Sequence, residues 1–148
     1  YDFIMWIDSD MIFSPEDFFK LLEHDKDIVS GMYKMSDDVN YATVETMDEK
    51  FFEEWMHYQF MQDKDIEAKK GKLFKADYTG LGWALVRKGV FEKMKYPYFY
   101  PRKQVWKKYG WEEFVWDDVE FCLRARENGH DIFIDPKIRI GHEKIKIL

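Results

Sequence analysis

The sequence predicts an α/β domain, a mixed and mostly parallel sheet flanked by helices. Apolar runs of strand length at residues 2–7, 27–33 and 131–134 are separated by stretches of helical period, the alternation that builds layered α/β folds. The first run, Phe3-Ile4-Met5-Trp6-Ile7, is almost uninterrupted, which suits a strand buried on both faces. A helix start, Ser14-Pro15-Glu16-Asp17, follows it: Ser as cap, Pro in the first turn, acids at the positive end of the dipole.

The chain's 148 residues make a single domain with a real core. Apolar residues at 46% with 35% charged describe a globular protein, and a net charge of −6 argues against binding nucleic acid. One cysteine, Cys122, excludes a disulfide within the chain and a cysteine zinc site. It fits a reducing compartment, the cytoplasm. No apolar run approaches the roughly 20 residues of a membrane span, and no signal peptide is visible. The chain opens without Met on what reads as a central strand, so an N-terminally incomplete domain is expected.

Taken in order, the first run ends in Asp8-Ser9-Asp10. Carboxylates at a strand exit stand where open α/β sheets put ligands, and such a pair can hold Mg²⁺ or Mn²⁺; an acidic surface turn is the alternative. The capped helix fades near His24-Asp25, and residues 27–33 form the next strand, giving a parallel strand–helix–strand unit. Residues 41–44 suit a short strand. Residues 48–70 are expected to form one helix, with Phe51, Phe52, Trp55, Met56, Phe60 and Met61 as its apolar stripe. That stripe reads as core or interface rather than as a binding platform. Residues 73–78 and 83–86 are strand-like around Thr79-Gly80-Leu81-Gly82, where the glycines allow a ligand's close approach or a plain turn. Residues 88–94 form a short helix. Residues 96–116, rich in Pro, aromatics and Lys/Arg, are expected to be a long surface loop, either an active-site lid or a solvated basic segment. Residues 117–128 form a helix ended by Gly129. Strands at 131–134 and 138–140 then flank an Asp135-Pro136 turn and lead to Gly141-His142.

These landmarks stand in a fixed order: Ile7-Asp8-Ser9-Asp10, Tyr78-Thr79-Gly80-Leu81-Gly82, Asp117-Asp118-Val119-Glu120-Phe121, Gly129, Asp135-Pro136 and Gly141-His142. Together they resemble the catalytic half of GT-A-fold glycosyltransferases, most closely the inverting family 2 type, over nearly the whole chain except about 34–72. The resemblance implies a truncated GT-A fold. The activity it implies is sugar transfer from a nucleotide-diphosphate sugar to a carbohydrate or other hydroxyl acceptor, with Mn²⁺ or Mg²⁺ as cofactor. Asp8 would lie near the donor ribose or diphosphate, Asp10 would bind the metal with His142, and Gly80 and Gly82 would line the sugar pocket. Asp118, or Asp117, would be the general base; the family has Glu-Asp where this chain has Asp-Asp, which leaves both open.

The resemblance also implies that the strand units holding the nucleobase precede residue 1. The edge this leaves on residues 2–7 predicts self-association, most simply as a two-fold homodimer, with the aromatic stretch 48–70 as the second candidate surface. Two rival readings remain. A nucleotidyltransferase or other Mg²⁺-dependent nucleotide enzyme would want a phosphate-cradling glycine loop, which the sequence lacks. A non-catalytic module would use the aromatics to grip a carbohydrate or a protein.

Overall fold

In the computed structural model, which describes residues 1–143, β1 (Phe3–Ile7) runs into a turn closed by the Met11 N–H donating to the Asp8 carbonyl at 3.2 Å. β2 (Met11–Ile12) follows, then α1 (Pro15–Glu23). The Asp17 carboxylate accepts from the Ser14 N–H at 3.1 Å and from its hydroxyl at 3.0 Å, a reciprocal cap on groups the helix cannot satisfy itself. β3 (Ile28–Met32) is buried throughout, and β4 (Thr43–Val44) comes after a bend.

The single helix expected over 48–70 is instead two short ones. α2 (Glu49–Trp55) stops at Met56, which is left-handed with φ 59°, and α3 (Asp63–Ala68) starts afresh with the Asp65 carboxylate accepting from the Gln62 N–H at 2.9 Å. Between them the Met61 N–H donates to the Thr43 carbonyl at 3.0 Å, and the Met61 carbonyl accepts from Tyr41 at 2.9 Å. Pairing with the 41–43 segment therefore replaces helix propagation, as tertiary contacts can do for short helices. The stripe is not a core stripe either: of its six side chains only Met61 is buried.

β5 (Phe74–Ala76), β6 (Tyr78–Thr79), β7 (Trp83–Arg87) and α4 (Val90–Lys93) follow. The stretch 96–116 is not a plain loop, because β8 (Lys103–Trp106) and β9 (Trp111–Phe114) pair as a hairpin. Its turn has Gly110 at φ 66° and two N–H groups, of Tyr109 and Gly110, donating to the Trp106 carbonyl. α5 (Asp117–Glu127) ends before Gly129, which takes φ 84°. β10 (Ile132–Arg139) is one strand with a register break, where the sequence suggested two strands about a turn: Ile132–Ile134 pair with Ile28–Ser30, and pairing resumes at Arg139 with Met32. β11 (Gly141–His142) closes the described chain.

The main sheet has the order β1-β7-β3-β10-β5. Only β10 and β3 are parallel neighbours; the other three pairings are antiparallel, so the sheet is mixed rather than mostly parallel. The cause is β7, which lies between β1 and β3 and opposes both. β1 and β3 thus point the same way across α1 without touching. β1 is consequently an edge strand with half-buried side chains, not a central strand buried on both faces. The pleat divides the core: Leu21 of α1 packs with Val29 and Leu85, while Phe121, Cys122 and Ala125 of α5 pack with Ile28 and Val86.

Candidate functional site

The last described strand returns to the first turn. β11 pairs antiparallel with β2, setting His142 opposite Met11, and the Glu143 N–H donates to the Asp10 carbonyl at 2.8 Å. His142 Nε2 thereby comes 3.0 Å from Asp10 Oδ2, while Nδ1 lies 2.8 Å from the Lys34 carbonyl. A carbonyl at Nδ1 calls for an N–H there, and Nε2 faces Asp10 either as a donor to its carboxylate or, with a cation between them, as a ligand beside it. This is the second-sphere arrangement of a metal-ligating histidine, so the pair fits a divalent cation. Among the described residues no group of three or more His, Cys, Asp or Glu converges on one point. Two protein ligands suit Mg²⁺ or Mn²⁺ that takes its remaining oxygens from water and phosphate.

Asp8 stands beside this pair, exposed, with its N–H donating to the Gly82 carbonyl at 3.0 Å. Gly80 and Gly82 are buried under Tyr33. A β-carbon on Gly80 would come 2.1 Å from the Tyr33 hydroxyl; one on Gly82 would come 3.0 Å from it and 2.8 Å from Asp8 Oδ2. The hydroxyl occupies that space and accepts from the Gly82 N–H at 3.1 Å, so neither glycine serves merely as a turn. The Tyr33 ring also meets the His142 ring edge-on, with centroids 5.8 Å apart.

Tyr33 also lines a cavity of about 520 Å³, together with Tyr78 and Asp118. Asp118 is the second residue of α5, and its Oδ1 accepts from the Val119 N–H at 2.7 Å. The Tyr78 hydroxyl donates to its Oδ2 at 2.7 Å. Burial pushes the Asp118 carboxyl above the usual aspartate range, with the negative charge of Asp117 adding to it and the Tyr78 hydrogen bond opposing it. Burial and the Asp118 carboxylate hold Tyr78 far above its ordinary value, so it remains a proton donor. Asp117 is exposed and accepts from the Asp118 N–H at 3.1 Å, as a cap on its own helix. The two acids are thereby separated: Asp118 lines the cavity and Asp117 does not.

The cavity's outer wall is the β8–β9 hairpin, fastened to α5 by charge. The Arg102 Nε lies 2.7 Å from the fully buried Glu120, and its guanidinium nitrogens donate to Glu127 at 2.8 and 3.1 Å. Arg124 donates to the carbonyls of Lys95 and Pro97. These contacts turn a segment with little core of its own into a fixed wall. The sequence assigns no role to Tyr33 or Tyr78, although Tyr78 stands among its landmarks, and it marks the aromatics of 96–116 only as part of a lid or solvated segment. For Tyr33 a signal existed, since it stands just past a strand end, the position that drew attention to Asp8.

No protein-family model matches the chain, and no curated protein matches it. Among solved structures the chain is similar to the crystal structure of A197 from STIV, with a TM-score of 0.61 at 17% identity, covering 98% of this chain and 59% of that one. At that identity the likeness is one of fold, a mixed α/β sheet with its helices, and this chain spans 59% of the other's length.

Proposed function

We propose that this chain is the catalytic part of a metal-dependent, inverting glycosyltransferase of GT-A type. What supports this most is that two groups both adjoin Tyr33: the Asp10–His142 pair and the cavity holding Asp118. An in-line sugar transfer needs a base beside the acceptor and charge neutralisation at the departing diphosphate, held at a distance from each other. Asp118 takes the proton of the acceptor hydroxyl. The acceptor oxygen then forms its bond to the anomeric carbon as the bond from that carbon to the diphosphate breaks. The raised carboxyl of Asp118 suits the task, because a base works best with a pKa drawn toward the working pH. Asp10 and His142 would hold Mn²⁺ or Mg²⁺, which when bound would supply Lewis-acid neutralisation of the diphosphate. Asp8 orients the donor beside them.

The test uses inorganic pyrophosphate, which needs no nucleobase site. Mn²⁺ binding to the chain, read by water-proton relaxation, is expected to be weak alone and to tighten with pyrophosphate. His142→Ala should abolish the tightening. Mn²⁺ binding that ignores pyrophosphate, or whose tightening by pyrophosphate is undiminished in His142→Ala, overturns the reading.

A further inference from the structure

The cavity beside Asp118 has a composition that selects among acceptors. One wall is a ring stack: Tyr58 on Phe52, with centroids 4.5 Å apart at 27°, and Phe52 on Trp106, 4.0 Å apart at 18°. The rim carries Phe114 and Trp116, which are 62% and 78% exposed. Both stand just ahead of the helix turn that bears Asp118, where neither is buried in the core. Large aromatics left in water at the mouth of a cavity mark a binding surface rather than a packing role. The cavity's volume, about 520 Å³, lies in the roughly 300–1,000 Å³ range of small-molecule sites. Its charge leans one way: among the described lining residues Glu113 and Asp118 are acidic, none is Lys or Arg, and His57 is the one imidazole.

Resting on the reading of Asp118 as base, we infer that this cavity takes a neutral oligosaccharide acceptor, its ring faces laid on Trp116 and Phe114, and rejects acceptors carrying carboxylate or sulfate. A pyranose has an apolar face of C–H bonds and a polar edge of hydroxyls. The C–H face matches the negative π-face of an aromatic ring, and the exposed Trp116 and Phe114 supply rings of that kind. The edge finds Gln104, whose side-chain oxygen accepts only a long 3.4 Å contact from the Tyr58 hydroxyl and so retains capacity. It also finds the Asp118 carboxylate, which takes a hydrogen bond from the hydroxyl that will react. An anionic sugar would bring like charge against Glu113 and Asp118 with no Lys or Arg in the lining to offset it, and juxtaposition of this kind is how sites exclude a wrong partner.

Binding can be measured without metal or donor, by tryptophan fluorescence and calorimetry on the whole chain. The probes are neutral disaccharides (maltose, cellobiose, lactose, chitobiose), the uronate-containing disaccharide of hyaluronan, a sulfated chondroitin disaccharide, and phenol. At least one neutral disaccharide should bind. Trp116→Ala should weaken it by about tenfold and Trp116→Phe should recover most of that, both with unchanged melting temperature because the side chain is exposed. Glu113→Lys should admit the anionic disaccharides. The inference is overturned if no neutral disaccharide binds, if anionic ones bind as well as neutral ones, or if phenol binds while sugars do not. Loss of sugar binding with pyrophosphate-dependent Mn²⁺ binding intact removes this inference alone. Sugar binding with no pyrophosphate-dependent Mn²⁺ binding keeps the cavity's ligand and makes the chain a carbohydrate-binding module.

Discussion

The two sides of Tyr33 are built on opposite principles. The Asp10–His142 side is half-exposed and assembled by backbone pairing, β11 on β2 and the Glu143 amide on the Asp10 carbonyl. The Asp118 side is aromatic, and its half-buried carboxylate has its charge tuned by desolvation. A carboxylate meant for a cation gains from remaining ionised and accessible. A carboxylate meant to take a proton gains from a dry setting that raises its affinity for one. On the proposed reading, the contrast teaches that the same residue type, at two strand or helix ends of one fold, takes its chemistry from how far it is desolvated.

The largest effect that would break this contrast is expected from Asp118→Asn. It should lower kcat by about 10²- to 10⁴-fold in an active form of the protein, leaving pyrophosphate-dependent Mn²⁺ binding as it was. Asp117→Asn should cost little, since that side chain only caps its helix. Equal losses from the two would show that the base role is shared and that burial does not distinguish them.

Smaller, and on the other side, is Asp10→Ala or His142→Ala. Either should weaken Mn²⁺ in the presence of pyrophosphate by about tenfold or more, by analogy with the 10–100-fold cost of altering even outer-sphere partners of a metal. Neutral disaccharide binding at the cavity should stay unchanged. If calorimetry finds both ligands weakened together, the two sides are one site and the division at Tyr33 fails.

Legibility in the sequence followed the same division. The Ser14 cap and the Gly129 stop are local chemistry, and each stands where its residues put it. The closeness of Asp10 and His142 could be named only through the order of landmarks, because nothing local links residues 132 positions apart. What escaped was long-range pairing. Residues 48–70 have helical period, yet Met61 is drawn out to pair beside Thr43. Residues 103–114 lack clean alternation because both faces of the hairpin are exposed except at Trp106, so the period that betrays a strand was never written there. The insertion of β7 between β1 and β3 is a matter of topology, and the apolar run of β1 carries no mark of it.

Stability against pH gives a finer probe of the desolvated side. Asp118 binds its proton more tightly folded than unfolded, so the folded state holds more protons in the window from about 3.9, the ordinary aspartate value, up to its raised value. Stability contributed by the protonated carboxyl is therefore present below that window and lost as pH rises through it. At neutral pH the ionised Asp118 is a destabilising group. Asp118→Asn should raise the melting temperature at pH 7, and the gain should vanish at pH values where both states are protonated. The acid limb of the transfer rate should likewise lie above the ordinary aspartate value, since the base acts only when ionised. A melting gain that is constant with pH would mean that the Asn effect has another origin.

The smallest effect concerns the partition itself. Gly80→Ala would put a β-carbon 2.1 Å from the Tyr33 hydroxyl and 3.1 Å from the Ala42 side chain. Something must shift, and overpacking of this kind costs about 1–3 kcal/mol. Tyr33→Phe removes the clashing oxygen but leaves the ring carbon that bore it 3.1 Å from the new methyl, and it strips the Gly82 N–H of its acceptor, itself a cost of about 1–3 kcal/mol. If the hydroxyl is what Gly80 makes room for, the double variant loses less stability than the sum of the single ones, by about 0.5–3 kcal/mol as contacting residues do. Denaturant unfolding of the four proteins measures that difference. Additive losses would mean that Tyr33 and Gly80 do not bear on each other. Coupling, together with unchanged Mn²⁺–pyrophosphate and disaccharide binding in Gly80→Ala, would make Gly80 a packing residue beneath the partition rather than part of a sugar pocket.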